Sequence, residues 1–416
     1  MSAHAALRLD LARQLFAHEK PAGPSPRVVV TIPARDEEER IAPCLSALIR
    51  QRGGSALAGE AGFGVVLLAN NCRDATAPRA RQMLGAAGIP HLVLPLDLPP
   101  LAANAGFARG LALDVAALWS ERAGGPGVLL TTDADTRVGH DWVGRNLSGL
   151  SGACGAVAGR FAFEAHEELG WPPHLRRRRR VESAYEEVLA ALSALLDPLP
   201  DDPWPNHWTE SGASFAVTLD AYRRIGGLPA VAAGEDRALA GALARHDVSI
   251  RHDPAIVVTT SARLDGRAQG GCASTLRERS AREEMPGDER LEALPAALRR
   301  MTLRGRLRRA FADDFDADEW EHRLGLASGA LGNGARQRFG AVWATALAAS
   351  PLLVPQLLRP AGMEHHLLVA RRLRAALEQA SAHGEKIEPV ILRALLNQQP
   401  EAAAERRDEQ LASLVA

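Results

Sequence analysis

The sequence predicts an α/β protein with a mainly parallel, nucleotide-binding type of layer and an all-helical C-terminal region. Three observations predict it. Short apolar runs alternate with amphipathic helical patterns over the first 160 residues, the spacing of βαβ units. The runs are apolar on both faces, as expected of parallel strands covered by helices. Beyond about Gly271 strand patterns stop, and Ala/Leu/Arg-rich helical sequence takes over. The expected divisions are a helical extension over 1–26, an α/β domain over 27–271 and a helical region over 272–416. Within the α/β domain, 27–160 forms the ligand-binding half and 161–271 the second half.

Arg27 to Ile32 reads as a buried strand, followed by a helix with Ile41, Leu45, Leu48 and Ile49 on one face. Phe63 to Ala69 is a second strand; the polar turn Asn70 to Asp74 leads into a helix that Asp74 is placed to cap. His91 to Leu96 is a third strand, and a long Ala-rich helix runs from about Leu101 to Arg122. The run Val128 to Thr132 then stops at Asp133-Ala134-Asp135. Ala153 to Phe163 is a further strand. Five consecutive arginines, Arg176 to Arg180, open a helix whose charge run suggests a solvated face. A Pro-rich breaker at 201–205 precedes Asn206 to Gly212. A strand near Ser214 to Thr218, helices after Leu219 and Glu235, and strands at Val248 to Arg251 and Ala255 to Thr260 complete the domain.

The 416 residues carry 49 basic and 50 acidic side chains, so no global field recruits nucleic acid. Four scattered cysteines without a C-x-x-C pair argue against a disulfide framework and against structural zinc. The amino terminus lacks the apolar core of a signal peptide, which makes the cytoplasm the expected compartment. Phe339 to Leu358 holds twenty residues without a charge. Its Ala content, Pro351 and Pro355 favour a buried or interfacial helix pair over a spanning segment. That stretch and Arg176 to Arg180 are the candidates for peripheral contact with the inner face of a membrane.

Strand side chains alternate, so Asp133 and Asp135 are expected to project together from the sheet's carboxyl end, where open α/β sheets bind ligands. Such a pair can hold a divalent cation; the plain alternative is a helix cap. A second acidic pair, Gly234-Glu235-Asp236, opens a helix, and either dipole complementarity or general-base chemistry accounts for it.

Six pieces in order give a resemblance. They are Ile32-Pro33-Ala34-Arg35-Asp36-Glu37-Glu38, the Asp74-x-Thr76 turn, Asp133-Ala134-Asp135, Ser211-Gly212-Ala213-Ser214-Phe215, Ile225-Gly226-Gly227 and Gly234-Glu235-Asp236. Over roughly 27–271 the chain resembles the family-two inverting glycosyltransferases of the GT-A fold. The resemblance implies metal-dependent transfer of a sugar from a nucleotide-diphosphate sugar to an acceptor hydroxyl, which belongs to a glycan, a lipid or a small metabolite. Pro33, Ala34, Arg35 and Glu37 then cradle the donor's nucleoside. Asp135 coordinates Mn²⁺ or Mg²⁺, and Asp133 contacts the ribose or a metal-bound water. Asp236 is the catalytic base, with Glu235 as helper or substitute. Asn70 stands where relatives place an acidic residue that reads uracil, which leaves the base open.

Ala108-Arg109-Gly110 is the best counterpart of the family's Ala-Arg-Asn-x-Gly, making Arg109 a candidate phosphate or base contact. Arg263 and Arg267 suit a diphosphate, or surface ion pairs. His252 matches an added metal ligand of some relatives, or is structural. Trp208 and His207 precede the turn that faces the acceptor; stacking on a sugar and core packing both fit. A sugar-phosphate nucleotidyltransferase would need a Gly-rich basic loop after the first strand, where Pro33 to Glu37 is acidic. The other alternative is a catalytically silent binding module whose helical tail works in an assembly.

Overall fold

The computed structural model describes residues 3–51, 62–150, 152–266, 270–332 and 338–384. Arg267 and the charged tail from Glu401 lie outside the described residues. The chain divides into two compact units: 1–171 with 208–278, and 172–207 with 279–416.

The first unit opens with α1 (Ala3–His18), β1 (Val28–Ala34), α2 (Ile41–Ile49), β2 (Phe63–Asn70), α3 (Thr76–Ala86), β3 (His91–Leu96) and α4 (Ala105–Ala123). It continues through β4 (Val128–Thr131), β5 (Thr136–Arg137), α5 (Trp142–Gly149), β6 (Ala156–Phe163) and α6 (Ala165–Leu169). After α7 (Pro173–Leu196), which belongs to the second unit, it resumes with β7 (Phe215–Thr218), α8 (Leu219–Arg224), α9 (Glu235–Arg245) and β8 (Ile250–Thr260). The strands form one sheet in the order β3-β2-β1-β4-β7-β6-β8-β5. β3, β2, β1 and β4 are parallel, as are β6 and β8; β7 is antiparallel to both neighbours, and β5 to β8. This is the α/β layer the sequence predicts, with two antiparallel strands, β7 within it and β5 at its edge.

Alternation divides the core. Val29, Val66, Leu68, Leu129, Phe215 and Val217 face α4, whereas Val30, Ile32, Val65, Leu67 and Leu130 face α2, α3 and α5. Each of these side chains is almost fully buried and contributes roughly 1.5–3 kcal/mol. From β1 the chain moves outward to β2 and β3, then returns to place β4 on the other side of β1. The strand order therefore switches between β1 and β4, and ligands of open α/β sheets bind beyond such a point.

Three local expectations change. The segments 248–251 and 255–260 are one strand, β8, whose register against β6 shifts at Gly159/Arg160. Asp74 lies just ahead of α3, but its carboxylate still accepts from the Thr76 backbone N–H at 3.0 Å. Asp133 and Asp135 sit in the turn after β4 rather than on the strand, and neither caps a helix, since α5 starts only at Trp142.

α10 (Cys272–Ala281) leads out of the first unit. The second unit holds α7, α11 (Leu294–Asp313), α12 (Ala317–Leu324), α13 (Phe339–Ala349) and α14 (Pro360–Ala382). The arginine run is not a uniformly solvated face. Arg178 turns inward, donates to Glu182 at 2.9 Å, and caps the carbonyls of Glu283 and Pro286. The uncharged stretch 339–358 forms α13 and a 3-10 turn at Pro351–Leu353 rather than a helix pair. Phe339, Val342, Trp343, Ala346 and Leu353 pack against α11 and α12, whereas Val354 and Leu357 are exposed. Among the described residues no helix is long and apolar enough to cross a membrane.

Candidate active site

The loops after β1 and β2 are tied together. Asp36 and Asn71 both take left-handed backbone conformations, with φ of 51° and 52°, and turn the chain sharply at the strand tips. The Asp36 carboxylate accepts from the Arg73 N–H at 2.7 Å, and Asp74 accepts from the Glu38 N–H at 2.9 Å. The Thr76 hydroxyl accepts from the Glu37 N–H at 2.8 Å. Asp36, Cys72 and Asp74 are the one group among the described residues whose potential ligand atoms all cluster within 4.8 Å. Their oxygens already serve these backbone donors, and burial pushes the Cys72 thiol up, so the group reads as a loop tie. Beside it a cleft of about 340 Å³ is lined by Asp36, Glu37, Glu38, Glu39, Arg40, Arg73 and Asp74.

Arg109, buried in α4, is the hub of the next layer. It donates to the Asp133 carboxylate and the Thr131 hydroxyl, both at 2.6 Å, to Glu235 at 3.0 Å, and to the Gly212 carbonyl at 3.1 Å. Gly212 is needed there because a Cβ would lie 2.4 Å from the Arg109 guanidinium carbon. The Gly212 N–H in turn donates to Asp236 at 3.2 Å. The two acidic pairs thus stand on one rim, bridged by Arg109.

A second arginine closes the other side. Arg263 grips both oxygens of Glu37, one at 3.0 Å, and reaches Asp135 at 3.1 Å. Asp133 and Asp135 therefore diverge towards different arginines instead of projecting as a matched pair. Burial, with Asp133 next to it, lifts Asp135 to about 6 despite Arg263. Burial and the neighbouring Glu235 also raise Asp236. Among the described residues, Glu37, Asp133, Asp135, Glu235 and Asp236 gather around Arg109 and Arg263, an acid-rich rim of the kind that can hold a divalent cation.

Pro33 and Ala34 end β1; Ala34 is buried, and Arg35 is exposed, touching the Ala103 carbonyl at 3.5 Å. Asn70 ends β2 with its side-chain oxygen buried and, among the described residues, without a hydrogen-bond partner. The strand register sets His252 beside Ala158, Ala158 beside Phe215, and Phe215 beside Thr131. His252 is thus three strands from the tip of β4, on the order of 14 Å at ordinary strand spacing. It lies 3.8 Å from Glu210, and the structure does not bring it to the aspartates. His207 is buried and Trp208 half-buried.

Sequence reasoning missed Thr131 and Glu167. Glu167 accepts from Ser261 Oγ at 2.9 Å, the Ala262 N–H at 2.6 Å and Arg40 at 2.8 Å, which fixes the backbone that carries Arg263. No motif marks Glu167; its neighbours in space come from the two ends of the domain.

No family model matches the chain, and no curated protein matches it. Solved structures do. The chain is similar to the mannosyltransferase PcManGT from Pyrobaculum calidifontis, in complex with GDP-Man and Mn²⁺, at 16% identity over 99% of this chain and 92% of that one, with a TM-score of 0.42. It is also similar to S. aureus TarS 1–349 in complex with UDP-GlcNAc, at 14% identity over 86% of this chain and 92% of that one, with a TM-score of 0.41.

Proposed function

We propose that this chain is an inverting, metal-dependent glycosyltransferase that moves a sugar from a nucleoside-diphosphate sugar to an acceptor hydroxyl, with 27–271 as its working part. The observation that carries the reading is the Arg109 bridge, which joins Asp133 at the β4 turn to Glu235 at the start of α9, with Asp236 beside it. Both pairs stand beyond the switch point between β1 and β4.

The roles divide by environment. Glu235 is buried against Arg109 and serves as its anchor. Among the described residues Asp236 has no guanidinium bonded to it; its oxygens accept the Gly212 and Arg237 N–H groups, and its raised pKa makes it the better base. It takes the acceptor's hydroxyl proton as that oxygen bonds the anomeric carbon and the bond to the diphosphate oxygen breaks. One displacement from the opposite face inverts the centre. Asp135, with Asp133 alongside, fits Mn²⁺ or Mg²⁺, because a buried carboxylate with a neighbouring charge gains from a hard cation. Such a cation, when bound, stabilises the charge on the departing diphosphate. The acid-rich cleft at Asp36 to Arg40 suits the neutral nucleoside better than its phosphates, with the unpaired Asn70 oxygen able to accept from a base N–H. Trp208 and His207 are proposed for the acceptor side.

The test is release of nucleoside diphosphate from UDP-, GDP- and dTDP-sugars with Mn²⁺ or Mg²⁺. Release from one donor that Asp135→Ala abolishes is the expected result. No release from any donor, or release undiminished in that variant, overturns the reading.

A further inference from the structure

We propose that the Arg263 guanidinium is a built-in stand-in for the divalent cation. It fills a cradle made by Glu37 and Asp135, and cation binding displaces it from Asp135. This rests on the reading of Asp135 as a cation ligand, and it adds Glu37 to that cradle and makes Arg263 a competitor for it.

Three observations carry it. First, one planar fork takes both oxygens of Glu37 and one of Asp135, from loops after β1 and β4 that come from opposite sides of the switch point. Second, two other described arginines at this rim have carboxylate partners of their own: Arg109 holds Asp133 and Glu235, and Arg40 holds Glu167 at 2.8 Å. Arg263 is thus the guanidinium that bridges these two largely buried carboxylates, and losing one partner of such a buried pairing is costly. Third, the side chain can leave without its backbone. Glu167 holds Ser261 and Ala262, and the Arg263 N–H donates to Ser261 Oγ at 3.2 Å, so the loop is anchored while the long side chain swings from it.

A guanidinium and a divalent cation cannot share one carboxylate oxygen without strong repulsion. Cation entry therefore turns Arg263 off Asp135, and its fork matches the oxygens of a diphosphate arriving with the cation. Arg263 opposes the cation when no donor is present and favours it when a diphosphate is there, so the two ligands bind with positive coupling.

The experiment measures Mn²⁺ binding to the full chain by the loss of the free-ion electron paramagnetic resonance signal, with and without UDP or GDP. Wild type is expected to bind Mn²⁺ weakly alone and about tenfold more tightly with one of the diphosphates. Arg263→Gln is expected to bind Mn²⁺ alone about tenfold more tightly than wild type, with most of the coupling lost. Arg263→Lys keeps the charge but loses the fork; it is expected to fall between the two, and it serves as the test if the glutamine variant does not fold. Equal or weaker Mn²⁺ binding in the folded variants, with Asp135→Ala abolishing binding in every background, overturns the stand-in while the metal assignment stands. No Mn²⁺ binding to any of these proteins, with either diphosphate, overturns the metal assignment and the stand-in together.

Discussion

Helix α4 carries Arg109 and Asp114 little more than one turn apart, and each sits in a buried guanidinium–carboxylate cluster. Asp114 accepts from Arg8 of α1 at 2.8 Å and from the Tyr222 hydroxyl at 2.6 Å, and Arg8 also donates to the Leu228 carbonyl at 2.9 Å. One positive charge meets one negative charge, and the phenol is kept neutral by burial beside Asp114. Arg109 instead serves two carboxylates, one of them with a third of its surface open, and Asp236 and Asp135 stand close by without full compensation. The Arg8 cluster ties α4 to α1 and α8, and the Arg109 cluster ties it to the end of β4 and the start of α9. The difference is charge balance: the Arg8 cluster is closed and holds the fold, whereas the Arg109 cluster keeps a negative surplus on the rim proposed to bind the donor.

Asp236→Asn is expected to lower kcat about 10³-fold, about 4 kcal/mol of barrier, with little change in melting temperature. Glu235→Gln, which leaves the base in place, is expected to cost less; a larger loss there than at Asp236 exchanges their roles. In the closed cluster the effect falls on stability. Asp114→Ala strands Arg8 without its partner and is expected to cost about 3–5 kcal/mol in urea unfolding, while the folded fraction keeps the wild-type KM. A changed KM in that variant joins the two clusters functionally and defeats the distinction.

Much of this architecture was legible in the sequence, because parallel strands buried on both faces leave continuous apolar runs such as Val28 to Ile32 and Val128 to Leu130. β5 was not, since two residues carry no period, and β8 reads as two strands because its register shift interrupts the alternation. Nor was the inward turn of Arg178, which depends on Glu182, Glu283 and Pro286 meeting it. At the site, residue types were legible and partnerships were not. Motif order points to Asp133, Asp135 and Asp236. Arg109 looks like a ligand contact until Gly212 and Glu235, more than a hundred residues away, are found to occupy it.

Acidity gives a smaller effect of stated sign. As the proposed base, Asp236 acts only when ionised, and burial raises its folded pKa, so activity is expected to fall as pH drops through a value higher than that of a free aspartate. The acid limb of the kcat/KM profile is expected there, and Glu235→Gln, which removes a like charge, moves the limb down. A limb that stays put in that variant excludes Glu235 from setting the basicity of Asp236.

The two glycines against the arginines give the finest discrimination. A Cβ at Gly110 would lie 2.5 Å from an Arg8 nitrogen, and one at Gly212 lies 2.4 Å from the Arg109 guanidinium carbon. Each arginine is held by several hydrogen bonds and cannot give way freely, so each alanine variant is expected to lose about 1–3 kcal/mol of stability. Their activities should part. Gly110→Ala strains only the closed cluster and leaves turnover of the folded protein unchanged. Gly212→Ala shifts the guanidinium between Asp133 and Glu235 and disturbs the N–H that Asp236 accepts, so turnover falls about tenfold, as misplacement of a base does. Equal turnover in the two variants at matched folded fraction means that the Arg109 cluster, like the Arg8 cluster, only holds the fold.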